Sequence, residues 1–312
     1  MYRLLVPVAF VVAVVVCIVG FERTRPRADF VFVSSGDVFT LDPQRMSWLS
    51  DLQIGYCLYE GLVRWNTEDF SIEPAAAIQY EISDDGLEYI FHLRKDAHWS
   101  NGASVTAYDF RYAWMRLLTP DTASDYSSFF YSISGAKEYW DLRTKQLKDG
   151  AFVTLDELEE SFCSIVEIKV LDTFKLKVKL DLNVPYFLDQ IALAVCSPVY
   201  KPAVEGWDVV DSKKKLIVES GWYSVEPPAM ENRRFVSLDK ESGRIKQKYT
   251  WARPGNIVCN GPFVLDEWRY KRDMWLARNP HYHSPSITTI NTMQGITVAD
   301  ANTAVLAFES GQ

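Results

Sequence analysis

Residues 91–110 constrain the fold most, because these twenty residues predict a strand, a turn and a helix in immediate succession. Apolar and polar side chains alternate over residues 88–94, which is the period of a strand with one buried face. The Asn-Gly dipeptide at 101–102 is typical of a tight turn. The stretch therefore predicts a half-buried strand joined by a turn to a helix.

The helix begins with a capping signal. Thr106 is a suitable N-cap residue, and Asp109 stands three positions later, as in a short capping box. Apolar residues then recur at the spacing of one helix face until Pro120 stops the helix. The buried stripe is predicted to consist of Phe110, Ala113, Trp114, Leu117 and Leu118.

The same signals predict further elements elsewhere in the chain. These are a strand over 30–33, a helix capped by Ser50 or Asp51, a turn at 83–86, a hairpin with arms at 166–170 and 174–180, and a second hairpin at 261–268 and 274–279.

Composition narrows the class of protein. The 312 residues are 48% hydrophobic and 24% charged, which is typical of a globular chain with one or two cores. The formal net charge of −8 argues against a nucleic-acid partner, because phosphate backbones are bound by Lys and Arg. The chain has 10 Trp, 16 Tyr and 17 Phe, and core packing must account for most of them. A ligand cleft with aromatic walls is the more specific interpretation for the rest.

Motifs for chemistry are missing from the sequence. There is no GxSxG, no Walker A, no GxGxxG after a strand and no HExxH. His281 and His283 stand two apart between prolines, which favours a surface loop over a metal site. The sequence therefore predicts no enzyme, no metal and no cofactor. The cysteines after residue 28 could form two disulfides or remain buried thiols, at Cys57, Cys163, Cys196 and Cys259.

The N-terminal segment 1–28 has the pattern of a targeting segment. Residues 4–21 form an uncharged apolar run of 18 residues, long enough to cross a bilayer. No A-x-A cleavage pattern follows. We expect a signal anchor that tethers the chain to the membrane, with a cleaved signal peptide as the alternative.

Several blocks in order resemble the family 5 extracellular solute-binding proteins, which are the oligopeptide and dipeptide receptors of ABC importers. The blocks are Leu-Asp-Pro at 41–43, Leu-Tyr-Glu-Gly-Leu-Val at 58–63, Phe-His-Leu-Arg-Lys-Asp-Ala-His-Trp-Ser-Asn-Gly at 91–102, Pro-Asp-Thr-Ala-Ser-Asp-Tyr at 120–126, Val-Pro-Tyr-Phe at 184–187, and Pro-Gly-Asn-Ile-Val-Cys-Asn-Gly-Pro-Phe at 254–263.

The resemblance implies an α/β fold of the periplasmic-binding-protein type (type II, peptide-receptor subclass). Lobe I would combine residues 29–59 and 167–283 around an inserted α+β subdomain at 60–166. Residues 284–312 would begin lobe II. A chain ending at Gln312 would lack most of that second lobe.

The resemblance also implies a ligand site. The cleft-edge strand of the peptide receptors corresponds to Ser47, Trp48 and Leu49, and a wall residue of the cleft corresponds to Tyr126. Core packing is the alternative for the two apolar side chains, and a buried hydroxyl is the alternative for Tyr126. The residue at position 47 is acidic in some peptide receptors, so the neutral Ser47 leaves the charge preference for the ligand open.

The implied function is capture of a peptide or similar solute and its delivery to ABC permease subunits at the periplasmic or extracytoplasmic face. Residues 205–250 depart from the family pattern, with a polar insertion that contains Lys213, Lys214 and Lys215. A membrane-anchored interaction protein that uses this insertion, without a transport ligand, is the alternative.

Overall fold

The computed structural model describes residues 25–207, 229–286, 288–298 and 300–309. Its strands are β1 (Phe30–Ser34), β2 (Val63–Trp65), β3 (Ile72–Pro74), β4 (Ala77–Ile82), β5 (Glu88–Leu93), β6 (Ile168–Asp172), β7 (Lys175–Lys179), β8 (Val236–Leu238), β9 (Ile245–Gln247), β10 (Phe263–Arg269), β11 (Asp273–Arg278) and β12 (Thr292–Thr297). Its α-helices are α1 (Leu49–Leu58), α2 (Ala107–Leu118), α3 (Ala136–Lys148), α4 (Leu155–Ile165), α5 (Phe187–Ile191), α6 (Lys201–Glu205) and α7 (Ala301–Glu309).

The first sheet brings the two ends of the described chain together. Its strand order is β1-β12-β11-β10. β1 runs parallel to β12, whereas β11 is antiparallel to both β10 and β12. The strand predicted at 30–33 and the hairpin predicted at 261–279 are confirmed, and they lie in the same sheet.

The second sheet is antiparallel and has the order β4-β5-β7-β6. The predicted strand is confirmed as β5, which buries alternate residues. The predicted hairpin is confirmed as β6 and β7. The predicted turn at 83–86 also forms: Gly86 has φ +69°, and the side chain of Asn183 occupies the place where a β-carbon would stand.

Helix α2 packs as the sequence predicts. Its capping box is present, since the Asp109 carboxylate accepts the backbone N–H and the hydroxyl of Thr106, both at 2.8 Å. All five predicted stripe residues are completely buried, at Phe110, Ala113, Trp114, Leu117 and Leu118. Their burial joins α2 to a hydrophobic core that continues from the second sheet to the first.

Two strand pairings cross the domain boundaries that the sequence predicts. β5 belongs to the predicted insertion at 60–166, yet it pairs with β7, which was assigned to lobe I. β12 lies in the segment assigned to lobe II, yet it pairs with β1 and β11 of the first sheet. We therefore propose that the insertion extends to about residue 180 and that lobe I extends through β12.

Two predicted segments lie wholly or partly outside the described residues. The apolar segment 4–21 is one of them, and residues 208–228 of the predicted insertion are the other. Across the four described ranges, the helices are all too short or too polar to cross a membrane. The cysteines in those ranges are free thiols, at Cys57, Cys163, Cys196 and Cys259.

Candidate functional site

A buried ion pair fixes the chain just before the predicted ligand edge. Asp42 is fully buried, and the Arg116 guanidinium on α2 grips both of its carboxylate oxygens, with Nη1–Oδ1 3.1 Å and Nη2–Oδ2 2.6 Å. Arg116 also donates to the side-chain oxygen of Gln44, and the amide of Gln44 donates to the carbonyl of Ser197 at 3.0 Å. The Leu-Asp-Pro turn is therefore bound to the core by charged hydrogen bonds.

Asp51 follows the predicted ligand edge in the sequence and binds the loop at Phe39. Its fully buried carboxylate accepts the backbone N–H of Phe39 at 2.8 Å. Burial raises the pKa of Asp51, and hydrogen bonds from the N–H groups of Phe39, Thr40, Trp48 and Ser47 act in the opposite direction. The hydrogen bond from Phe39 thus ties this buried carboxylate of α1 to the loop that precedes the Leu-Asp-Pro turn.

The local structure around Asp51 differs from the one that the sequence predicts. The predicted cap at Ser50 or Asp51 is wrong, because α1 already begins at Leu49 with Trp48 in the cap position. Residues 47–49 do not form the cleft-edge strand that the resemblance implies, because the carbonyl of Trp48 accepts the N–H of Leu52 at 3.0 Å. Residues 47–49 therefore offer no strand for a backbone ladder.

The side chains at the edge face outward. Trp48 is 61% exposed and Leu49 is 70% exposed, so core packing does not account for either. Trp48 stacks on Phe39, which is also largely exposed, with a centroid distance of 5.7 Å and an interplanar angle of 28°. An apolar surface of this kind in a globular protein marks a contact site more often than isolated exposed residues do.

Ser47 meets the segment that contains Tyr126. The hydroxyl of Ser47 donates to the carboxylate of Asp125, across 78 positions of sequence. Tyr126 follows directly, is partly buried, and packs edge-to-face on Phe129 at 5.2 Å. The sequence reasoning missed Asp125, although the residue stands inside the block that identified Tyr126.

Tyr56 extends this surface along α1. It is seven residues after Leu49 and so lies on the same helix face. Burial raises the pKa of Tyr56, and the nearby Tyr126 adds to the rise. Tyr56 also packs edge-to-face on Trp65 of β2 at 6.4 Å. The helical spacing from Leu49 is the sequence signal that could have identified it.

A cavity of about 430 Å³ lies beside Tyr56. This volume lies within the usual range for small-molecule sites. Its walls are predominantly apolar and aromatic, with Tyr56, Tyr59, Val63, Trp65, Phe70 and Pro262 among them. Glu60 and Arg64 are the charged side chains in the wall.

The floor of the cavity is a buried hydrogen-bonded cluster. The Glu60 carboxylate accepts the Tyr282 hydroxyl at 2.7 Å and lies 2.7 Å from Nε2 of His283. Burial raises the pKa of Tyr282, and the Glu60 charge raises it further. The surface-loop interpretation is wrong for His283, whose side chain is 3% exposed, because Glu60 binds it in the interior. Nowhere in the described ranges do three His, Cys, Asp or Glu side chains come together as metal ligands would.

Comparison with known proteins identifies the family to which this architecture belongs. The sequence model of the bacterial extracellular solute-binding proteins, family 5 (middle region), matches residues 71–312. The chain belongs to this family. The resemblance seen in the sequence blocks is thereby confirmed, and so is the periplasmic-binding-protein fold.

The relatives of the chain within family 5 are binding proteins. It is 29% identical over 282 residues to the periplasmic oligopeptide-binding protein OppA of Escherichia coli, covering 89% of this chain and 41% of that protein. It is 25% identical over 287 residues to the probable deoxycholate-binding periplasmic protein YgiS of the same organism, covering 92% and 43%. The chain therefore spans less than half the length of these curated relatives.

A solved structure agrees with the sequence comparison. The fold superposes on OppA of Burkholderia pseudomallei with a TM-score of 0.68 and 25% identity, covering 92% of this chain and 45% of the other. The described body therefore corresponds to about one lobe of a family 5 protein.

Proposed function

We propose that this chain forms the first lobe of a solute-binding protein that captures oligopeptides for an ABC importer. The observation that carries the proposal is the hydrogen bond from Ser47 to Asp125, because it joins residues 47–49 to the residue that directly precedes Tyr126. Oligopeptide binding by the relatives named OppA supports the same ligand class. The chain is proposed to bind and release its solute without chemical conversion.

The proposed binding mode depends on side chains. The carbonyl of Trp48 is already engaged by the N–H of Leu52 in α1, so it offers little to a ligand backbone. The exposed side chains of Trp48 and Leu49 instead supply apolar contact, and Tyr126 supplies a ring with a polar hydroxyl.

Calorimetric titration with a mixed pentapeptide pool tests this mode. Tyr126→Ala should weaken binding about 10-fold, and Tyr126→Phe about 2- to 5-fold, since the latter removes a single hydrogen bond. Tyr270→Ala is the matched control, because Tyr270 is 59% exposed on the turn between β10 and β11. Equal losses in Tyr126→Ala and Tyr270→Ala would contradict the assignment.

Partners and location follow from the same proposal. We propose that the chain acts at the extracytoplasmic face, hands its solute to permease subunits, and is tethered through residues 4–21. Periplasmic location of the named relatives supports the compartment. Protease treatment of spheroplasts followed by carbonate extraction tests both points: the chain should be digested from outside and should stay in the membrane fraction. Protection from external protease would contradict the location.

The described part of the 205–250 segment favours this proposal over the interaction-protein alternative. Arg233 is buried and binds both carboxylate oxygens of Asp156 at 2.8 Å. The Arg143 guanidinium donates to the carbonyl of Gly243 at 2.8 Å. These contacts fasten residues 229–250 to the body of the protein, so this part is structural rather than a free docking surface.

A second candidate ligand is an amphipathic solute with a large apolar surface. The observation that favours it is the cavity of about 430 Å³ with Tyr56, Trp65 and Phe70 in its wall. The name of the deoxycholate-binding relative points to the same ligand class. Titration with deoxycholate distinguishes the candidates: an apolar solute in the cavity should bind at least 10-fold more weakly to Trp65→Ala, whereas peptide binding at the edge should be insensitive to that change.

A further inference from the structure

Asp125 is an exposed acidic residue with an unusual placement. It lies between the 3-10 helices Pro120–Thr122 and Ser127–Ser132, and its carboxylate accepts the hydroxyl of Ser47. Among the described residues, none of the ion pairs includes Asp125. The carboxylate is therefore oriented by the neutral hydroxyl of Ser47 and is exposed to solvent.

The charged neighbours of Asp125 are engaged elsewhere. Asp121, four residues earlier, receives two hydrogen bonds of 2.8 Å from the buried guanidinium of Arg143. Arg45, two residues before Ser47, places its guanidinium 4.0 Å over the ring of Tyr249. The surface between Ser47 and Tyr126 thus presents one oriented carboxylate beside exposed aromatic rings.

We propose that Asp125 selects the charge of the ligand by binding an ammonium or guanidinium group. This inference rests on the proposed peptide-binding function and adds a preference to it. Oδ2 accepts the Ser47 hydroxyl, and the remaining lone pairs of the carboxylate can accept further N–H donors from a cation. The exposed rings of Phe39 and Trp48 lie on the same edge and can cover the aliphatic stem or the face of such a cation.

The arrangement also answers the question that Ser47 raised. By the resemblance to the family, Ser47 is neutral at a position where some peptide receptors carry an acid. The hydroxyl at 47 instead reaches a carboxylate that comes from position 125. The negative charge at the cleft edge is therefore present, but it is supplied by a different segment of the chain.

Matched peptides test the inference by isothermal titration calorimetry on the 312-residue chain. The peptides are Ala-Ala-X-Ala-Ala with X as Lys, Gln or Glu, each with blocked termini and each again with a free α-amino group. The wild type should bind the blocked Lys peptide about 5- to 10-fold more tightly than the Gln peptide at low salt, with a smaller ratio at high salt. Comparison with the free α-amino series shows whether a side-chain cation or the peptide terminus is preferred.

Asp125→Asn keeps an acceptor for the Ser47 hydroxyl and removes only the charge. This variant should therefore bind cationic and neutral peptides with about equal affinity. Asp84→Asn is the control, since Asp84 is an exposed acid on the turn between β4 and β5, and it should leave the preference unchanged. A preference for cations that survives in Asp125→Asn would overturn the inference, and so would wild-type binding without any charge preference. Failure of every peptide to bind the wild type would overturn the proposed function together with it.

Discussion

At the scale of single residues, buried acids position the candidate site. Asp42 and Asp51 are both fully buried, one on each side of the exposed residues 47–49. Asp42 is held by a guanidinium, and Asp51 accepts the backbone N–H of Phe39. A buried carboxylate is costly unless it is paired or hydrogen-bonded, so these partners are required for the fold to keep the edge in place.

The ion pair between Asp42 and Arg116 leads to a stability prediction. Arg116→Met should lower the free energy of unfolding by about 3–5 kcal/mol, because it leaves the Asp42 charge buried without a partner. Denaturant titration followed by circular dichroism measures the change. Lys137→Met is the matched control, since Lys137 and Asp141 form an exposed pair, and it should cost less than about 1 kcal/mol. Equal costs in the two variants would refute the role of Arg116.

The sequence predicted some residues of the candidate site and missed others for a physical reason. Tyr126 stands in a recognisable block and Ser47 follows shortly after Leu-Asp-Pro, and the structure brings their segments together. Asp125 was missed because its significance depends on a contact with Ser47, 78 positions away, whereas Tyr56 could have been identified from its helical spacing to Leu49. His283 was misjudged for the same reason, since its partner Glu60 is 223 positions away.

At the scale of elements, local signals predicted secondary structure well. The capping box of α2 involves residues three positions apart, so the sequence contains the complete signal. The alternation in β5 and the hairpin of β6 and β7 are likewise local patterns. The start of α1 was mispredicted because the carboxylate of Asp51, a good capping group by sequence, binds a loop twelve positions away instead.

The hairpin of β8 and β9 allows a prediction about pH. Hydrogen bonds from Lys246, from the N–H of Glu241 and from Ser242 lower the pKa of Asp239 to about 2, against an ordinary value of 3.8. The unfolded chain therefore takes up this proton first as the pH falls. The stabilisation by Asp239 is complete above about pH 4 and is lost as the pH falls towards about 2.

Denaturant titrations between pH 5 and 2 measure this contribution (a pH range set by the two pKa values). Asp239→Asn should show a flatter decline in the free energy of unfolding than the wild type over this range. Lys246→Met should flatten the decline in the same direction, because it removes the first of the groups that lower the pKa. Parallel curves for wild type and Asp239→Asn would count against the assigned hydrogen bonds.

At the scale of the whole molecule, the sequence predicted the fold class, and we propose other limits for its parts. The first sheet joins β1 to β12, whose residues Phe30 and Met293 are paired across most of the chain. The second sheet joins β5 to β7 across the predicted edge of the insertion. Strand partners of this kind are set by tertiary packing and not by local pattern, so the predicted boundaries at 166 and 283 fall within continuous structure.

We propose that peptides bind at the surface formed by residues 47–49 and Tyr126. Trp48 is a natural reporter because it is 61% exposed, whereas Trp99, Trp114 and Trp251 are buried. The most direct measurement is therefore tryptophan emission during titration with the pentapeptide pool, with Trp48→Phe measured in parallel. We expect a saturable shift of the emission to shorter wavelength in the wild type, as the ligand covers Trp48, and no such shift in Trp48→Phe. A saturable shift of equal size in both proteins, or none in the wild type while calorimetry detects binding, would contradict this location of the site.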